Sequence, residues 1–150
     1  MRLFLMTATM AGFALASFAM NEALAVQDTP TTINGVEVVC TGVGSAKDDP
    51  RWSAYPVKIV LATTGGANLA NAHVSLSKGG KAKESQEVAG LDCDAPWILF
   101  KPPAGGYTAT ATLIGGSGQS HSANFTTTGS GAQKEITIMF AKPPEASAGQ

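Results

Sequence analysis

Short runs of β-favouring residues alternate with clusters of glycine, proline, asparagine, aspartate and serine along most of this chain. Such spacing is typical of β-sandwiches and barrels, and no stretch shows a convincing helical period. The sequence therefore predicts an all-β fold, a small sandwich of about seven to eight strands. The runs that we expect to form strands are 36–41, 57–62, 73–77, 83–88, 97–100, 107–114, 120–126 and 135–140.

The run from Tyr107 to Ile114 shows most clearly the alternation of a half-buried strand. Its odd positions hold tyrosine, alanine and leucine, whereas Thr108, Thr110 and Thr112 fill even positions. Because strand side chains alternate between two faces, we expect the odd positions in the core and the threonines in solvent. The letters SKGGKAK, between the third and fourth expected strands, predict a Gly-Gly hairpin turn.

Residues 1–25 are typical of a secretory signal peptide. Arg2 provides a positive start, residues 3–20 form a mostly apolar run, and Ala23 to Ala25 offer small residues for cleavage. The apolar run is eighteen residues long, and a membrane-spanning helix needs about twenty, so an uncleaved anchor is the alternative. We expect a periplasmic or secreted protein, cleaved after Ala25, with no membrane span in the mature chain.

Length and charge place the mature chain among single globular domains. Removing 25 of the 150 residues leaves 125, which suits one domain. We expect a polar lead-in over 26–34, the sandwich over 35–141 and a flexible, proline-rich tail over 142–150. Without Arg2 and Glu22, the ten basic and eleven acidic side chains become nine and ten. This balance gives no field that would attract nucleic acid, so no nucleic-acid partner is expected.

Cys40 and Cys93 are the only cysteines, and both belong to the mature chain. An exported protein meets an oxidising compartment, so we predict one disulfide between them. Closing so long a loop is worth roughly 4 kcal/mol in the chain-entropy model. A redox or metal pair is the alternative, but the C-x-x-C spacing of such pairs is lacking.

The loop KDDPRWSAY is the best candidate for a binding surface. If Trp52 and Tyr55 are exposed, their rings beside Arg51 could stack on sugars or anchor a partner protein. The alternative is structural. Trp52 would then cover one end of the core while Arg51 pairs with Asp48 or Asp49.

A sharp corner is expected after the strand at 97–100. Pro102 and Pro103 remove backbone donors, and Gly105 and Gly106 permit the turn into the next strand. Trp97, close to Cys93 in sequence, is expected to pack in the core against the disulfide.

The stretch LFKPPAGGYTATAT, followed by GGSGQS, HSANFTT and GSGAQKEITIMF, resembles the carboxypeptidase regulatory-like family of prealbumin-like β-sandwiches. The similarity covers about Val74 to Phe140, roughly half of the chain. It implies a bacterial exported single-domain member with a Greek-key, prealbumin-like or Ig-like sandwich. It also implies an accessory or binding role more often than catalysis, because one fold carries many activities.

Catalytic signatures do not match the chain. Hydroxyisourate hydrolases of the wider fold end in Tyr-Arg-Gly-Ser, whereas this chain ends in EASAGQ. Ring-cleaving iron dioxygenases use two tyrosines and two histidines, but Tyr55, Tyr107, His73 and His121 lack a metal-like spacing. No serine lies in G-x-S-x-G. We predict no catalytic residue, no cofactor and no metal site.

Taken together, these patterns predict an exported, non-catalytic binding or interaction module of the cell envelope. Its partner would be an envelope protein or a glycan. The alternative is a carbohydrate-binding module that uses Trp52 and Tyr55, and an unrecognised enzyme is the third hypothesis. Edge strands, where uncovered, could recruit a further strand.

Overall fold

A computed structural model of the chain describes residues 25–79, 86–115 and 118–141. Within these ranges the fold is an all-β sandwich of two sheets, as predicted. The strands are β1 (Thr31–Ile33), β2 (Val36–Thr41), β3 (Val57–Thr63), β4 (Ala72–Lys78), β5 (Gln86–Cys93), β6 (Trp97–Lys101), β7 (Gly105–Leu113), β8 (Ser120–Thr127) and β9 (Lys134–Phe140). Two short 3₁₀ helices, Gly44–Asp48 and Pro50–Ala54, lie between β2 and β3.

Sheet A has the strand order β1-β2-β6-β3-β9, and sheet B has the order β5-β4-β7-β8. All neighbours are antiparallel except β3 and β9, which are parallel. The chain crosses from sheet B to sheet A at β6 and returns to sheet B at β7. The edge strands are β1 and β9 in sheet A, and β5 and β8 in sheet B.

The core between the sheets is built from alternate residues of the strands. On β7, Tyr107, Ala109 and Ala111 are buried, while the threonine that follows each of them lies on the outer face. Phe100 and Phe140 are the largest of the fully buried side chains in this core. The alternation read from the sequence therefore identifies the two faces of β7 correctly.

All eight expected strands are present, and most of their ends agree within two residues. The exception is β5, expected at 83–88, which continues to Cys93. A ninth strand, β1, lies inside the polar lead-in and pairs with β2. Asn34 and Gly35 form the tight turn between them, with φ of 50° and 81°, as Asn-Gly hairpins require. Three predicted segments lie outside the described residues: positions 80–83 of the SKGGKAK turn with the first residues of the next expected strand up to 85, the signal peptide up to residue 24, and the tail 142–150.

Cys40 and Cys93 form the predicted disulfide, with an S–S distance of 2.00 Å and a Cα–Cα distance of 5.7 Å. Cys40 belongs to β2 in sheet A, and Cys93 belongs to β5 in sheet B. The bond therefore links the two sheets across the core, where both residues have no exposed surface.

The outer face of sheet A carries a second, smaller core. Val39 of β2 and Leu99 of β6 are buried there beneath Trp52 and Tyr55, which belong to the β2–β3 connection. Trp97 lies on this outer side too, because it is two residues from Leu99 on the same strand. The Lys58 ammonium stands 3.5 Å from its ring centroid. The prediction that Trp97 packs in the core against the disulfide is therefore wrong.

In the part of the chain that the structure describes, no helix has the length and apolar character needed to cross a membrane.

Candidate functional site

The loop that carries Arg51, Trp52 and Tyr55 is folded onto sheet A. Trp52 is 4% exposed and Tyr55 is 2% exposed. The Trp52 ring nitrogen donates a hydrogen bond of 2.7 Å to the carbonyl oxygen of Ala46. The Arg51 guanidinium is exposed and lies 2.7 Å from the Asp49 carboxylate. Arg51 therefore pairs with Asp49 as the structural alternative expected, but Trp52 covers a separate cluster on the outer face of sheet A rather than one end of the main core. Neither aromatic ring offers the open face that stacking on a sugar requires.

Tyr55 is held by a carboxylate on the sheet below it. Its hydroxyl donates a hydrogen bond of 2.6 Å to Glu37 Oε1, and Lys101 Nζ donates to the same oxygen at 3.1 Å. Burial, followed by the hydrogen bond to Glu37, raises the pKa of Tyr55. The hydrogen bonds from Tyr55 and then from Lys101 lower the pKa of Glu37. This cluster fixes the end of the loop and leaves little freedom for a ligand.

Replacing Tyr55 by phenylalanine is expected to raise the pKa of Glu37 toward its ordinary value of 4.5. The substitution removes the strongest hydrogen bond to the carboxylate and keeps the ring. A group with a lowered folded-state pKa stabilises the fold above its unfolded-state pKa, and this contribution is lost as the pH falls through the folded-state value. Carbon-detected NMR titration of the Glu37 carboxyl checks the shift.

The control for that titration is Tyr107→Phe. This variant also loses a tyrosine hydroxyl, which donates to the Pro103 carbonyl at 2.7 Å, but it leaves the contacts of Glu37 unchanged. Equal Glu37 titration in Tyr55→Phe and in the unmodified chain would contradict the assignment.

The four side chains considered as iron ligands lie apart. Tyr55 is on the outer side of sheet A, Tyr107 faces the core, and His73 is on the outer side of sheet B. His121 contacts the ring of Phe140, with 5.0 Å between ring centroids. Among the residues that the structure describes, no three His, Cys, Asp or Glu side chains are placed to hold a metal ion.

A groove of about 530 Å³ lies between the segment 25–33 and β5. His73 Nδ1 and Asp92 Oδ1 are 2.7 Å apart at its wall. A Cβ on Gly90 would lie 2.6 Å from Glu87 Oε1 and 3.2 Å from His73 Nε2, so a larger residue here would require the exposed Glu87 side chain to move. Two carboxylates therefore border the groove, and one of them orients the imidazole ring.

Three of the four sheet edges each have at least one feature that hinders pairing with another chain. β1 has only three residues. β5 carries Glu87 and Asp92, its register with β4 is interrupted by a bulge, and the backbone nitrogen of Ala25 donates to the Asp92 carbonyl at 3.1 Å. β9 begins with Lys134 and Glu135, and the latter pairs with a lysine of β3. Short length, charge and bulges are the devices by which proteins blunt sheet edges.

β8 has none of these devices. Its eight residues, SHSANFTT, include no proline and no lysine, arginine, aspartate or glutamate. Eight consecutive residue pairs join it to β7 without a register shift. Its side chains are mostly exposed, with only Phe125 buried. β8 is therefore a long, regular and uncharged edge.

The backbone groups of β8 alternate between β7 and the open side. The Leu113 nitrogen donates to the Gln119 carbonyl, so odd-numbered residues of this strand bond to β7. The groups of Ser120, Ser122, Asn124 and Thr126 consequently point away from the sheet. Within the described ranges, β8 pairs with β7 and with no other strand. One outward group has a side-chain partner, because Lys134 Nζ donates to the Thr126 carbonyl at 3.0 Å.

A polar row of side chains runs beside this open edge, on the outer face of sheet B. Thr112 and Ser120 are hydrogen-bonded at 3.0 Å, and the next two cross-strand pairs continue the row. Each β8 side chain in the row is therefore held in place by a threonine of β7. The sequence reading noted the threonines but gave no signal that β8 would lie at an edge.

Comparisons with known proteins add no relative to this picture. No protein-family model matches the chain, and no curated protein matches it in sequence.

Proposed function

We propose that the chain is an exported interaction module of the cell envelope, which binds an extended segment of another polypeptide as an added strand beside β8. The observation that carries the proposal is the contrast between β8 and the three protected edges of the sandwich. The disulfide supports export, because such bonds persist in oxidising compartments. The resemblance to the carboxypeptidase regulatory-like family agrees with an accessory role of this kind.

Strand addition suits β8 because a sheet edge can supply both affinity and selectivity for an extended segment. Main-chain hydrogen bonds provide the affinity, and alternate side chains provide selectivity. The outward backbone groups of Ser120, Ser122 and Asn124 are ready to pair with an incoming strand. Since β8 carries no formal charge, an uncharged segment with β-favouring residues would fit best beside it.

The groove beside β5 is a poorer place for an added strand. Asp92 already bonds through its side chain to His73 and through its carbonyl to Ala25. In a chain cleaved after Ala25 the second bond is absent, and the protection of β5 then rests on its carboxylates and its bulge. β8 has no carboxylate and no bulge, and the exposed Lys134 ammonium bonds to one outward group, the Thr126 carbonyl, so we propose that the binding function lies there.

Ser122→Pro is expected to weaken peptide binding at least roughly tenfold, because the substitution removes a donor that an added strand needs. The affected N–H points away from β7, so the pairing within sheet B is preserved. Ser122→Ala is the matched control. Like the proline variant it loses the hydroxyl contact with Thr110, 2.8 Å long, but it keeps the backbone donor.

Peptides for this experiment come from a random library displayed on phage and selected against the oxidised chain. Hydrogen exchange followed by NMR locates the binding. The amides of Ser120, Ser122, Asn124 and Thr126 should gain protection, while those between them are already protected by β7. Equal binding to the proline and alanine variants, or protection gained only at another edge, would overturn the proposal.

A further inference from the structure

We infer that the segment bound beside β8 is β8 of a second copy of this chain. The inference rests on the proposed function and names its partner. Two copies would pair through a twofold axis and join their B sheets into one continuous eight-stranded sheet, since each copy contributes four strands.

The directions of the backbone groups select one antiparallel register. Pairing is possible only between residues whose groups point outward, which on β8 are the even-numbered ones. A twofold axis at Ala123 pairs Ser120 with Thr126 and Ser122 with Asn124 of the second copy. All four outward residues of each strand then find a partner. Shifting the axis by one residue, to 122 or 124, leaves one of the four without an outward partner in the other copy.

Side chains are compatible with this register on both faces. On the outer face, serine hydroxyls would meet the hydroxyl of Thr126 and the amide of Asn124, so the polar row that starts at Thr112 would continue into the second copy. On the inner face, His121 would lie opposite Phe125, and the small side chain of Ala123 would meet itself at the axis. No pair brings two like charges together, because β8 carries none.

Pairing of two β8 strands would break few of the contacts that exist within one copy. Lys134 Nζ would give up its hydrogen bond to the Thr126 carbonyl, an exposed interaction of 3.0 Å, and could turn into solvent. The pairs between β7 and β8 remain, because they use the odd-numbered residues. Self-pairing of β5 about Gly90 is less favourable than self-pairing of β8. It would bring Glu87 of each copy to an edge that already carries Asp92, and the segment 25–33 lies beside that edge.

Sedimentation velocity of the purified, oxidised chain tests the inference. We expect the mass of two chains at high concentration and of one chain on dilution. Ser122→Pro should raise the dissociation constant of the dimer at least roughly tenfold, because each copy loses a donor, whereas Ser122→Ala should remain close to the unmodified chain. A chain that is a monomer at all accessible concentrations overturns the inference.

Ala123→Cys tests the register without relying on proline. At the axis of an antiparallel pair that is not hydrogen-bonded, the two Cβ atoms lie close enough for a disulfide. The variant should therefore form a covalent dimer under mild oxidation, and His121→Cys, whose counterpart is Phe125, should not. Dimers that cross-link through position 121 but not 123 contradict the register.

The two proposals fail in different ways. A monomeric chain that still binds library peptides at β8, with loss in Ser122→Pro, overturns self-pairing but supports strand addition. A monomer that binds no peptide at β8 overturns both. A dimer that is insensitive to Ser122→Pro and does not cross-link at position 123 uses another surface, and it overturns the inference.

Discussion

Reduction of the Cys40–Cys93 bond is expected to lower the free energy of unfolding by about 4 kcal/mol. The two residues are 53 positions apart in sequence, so the bond removes much conformational freedom from the unfolded chain. It also joins the two sheets at a point where neither cysteine is exposed. Small domains are stable by about 5–15 kcal/mol, and this single bond therefore supplies a large fraction. Guanidinium unfolding with and without reductant measures the difference.

Two forms of the protein separate the cross-link from packing. The reduced chain keeps both sulfur atoms, so its loss of stability reflects the missing covalent bond. Cys40→Ala/Cys93→Ala loses the sulfur atoms as well, and we expect it to be less stable than the reduced chain because it leaves a cavity. A loss below about 1 kcal/mol on reduction would show that the sheets are held together without the bond, against the loop-entropy estimate.

The alternation of residue types was sufficient to predict the strands and the faces of β7. It fails on β6, where Trp97, Ile98, Leu99 and Phe100 are all large and apolar. An uninterrupted apolar run marks a strand that is covered on both sides and cannot say which side is the main core. Sheet A is such a layer, because the β2–β3 connection covers its outer face. Trp97 was consequently assigned to the wrong side.

Two further differences arise from local signals that tertiary structure overrides. β5 continues beyond the expected end at 88, through Gly90 and Asp92, because an edge strand can accept small and charged residues. β1 was not predicted because three residues are too few for a periodic signal, although Asn-Gly is a pair that favours hairpin turns. Neither error changes the fold class.

Residue patterns along the chain cannot predict which strands form the edges of the two sheets. β8 and β7 both read as alternating strands with polar residues on one face. Only the strand order places β7 inside sheet B and β8 at its border. That order depends on contacts between residues distant in sequence, which no local period reports. An aromatic loop such as 47–55 is conspicuous in the sequence, whereas nothing local marks a strand as the edge of its sheet.

Trp52→Ala is expected to lower the free energy of unfolding by about 3–5 kcal/mol, the usual cost of removing a large buried aromatic side chain. Trp52 is 4% exposed and covers Val39 and Leu99 on the outer face of sheet A. Its ring packs edge-to-face against Tyr55, with 6.0 Å between centroids. Urea unfolding of the oxidised variant measures the loss.

Arg51→Ala, at the adjacent position, is the matched control. Arg51 is exposed, pairs with Asp49 at the surface and lies over the Trp52 ring at 4.8 Å from its centroid, so its removal should lower stability much less than the removal of Trp52. Both variants should retain the β8 surface, because the loop covers sheet A whereas β8 borders sheet B. Unchanged stability in Trp52→Ala would contradict a structural role for the ring. If a folded Trp52→Ala chain lost strand binding, the aromatic loop and not β8 alone would be needed for binding. The same variant therefore distinguishes binding at the loop from binding at β8.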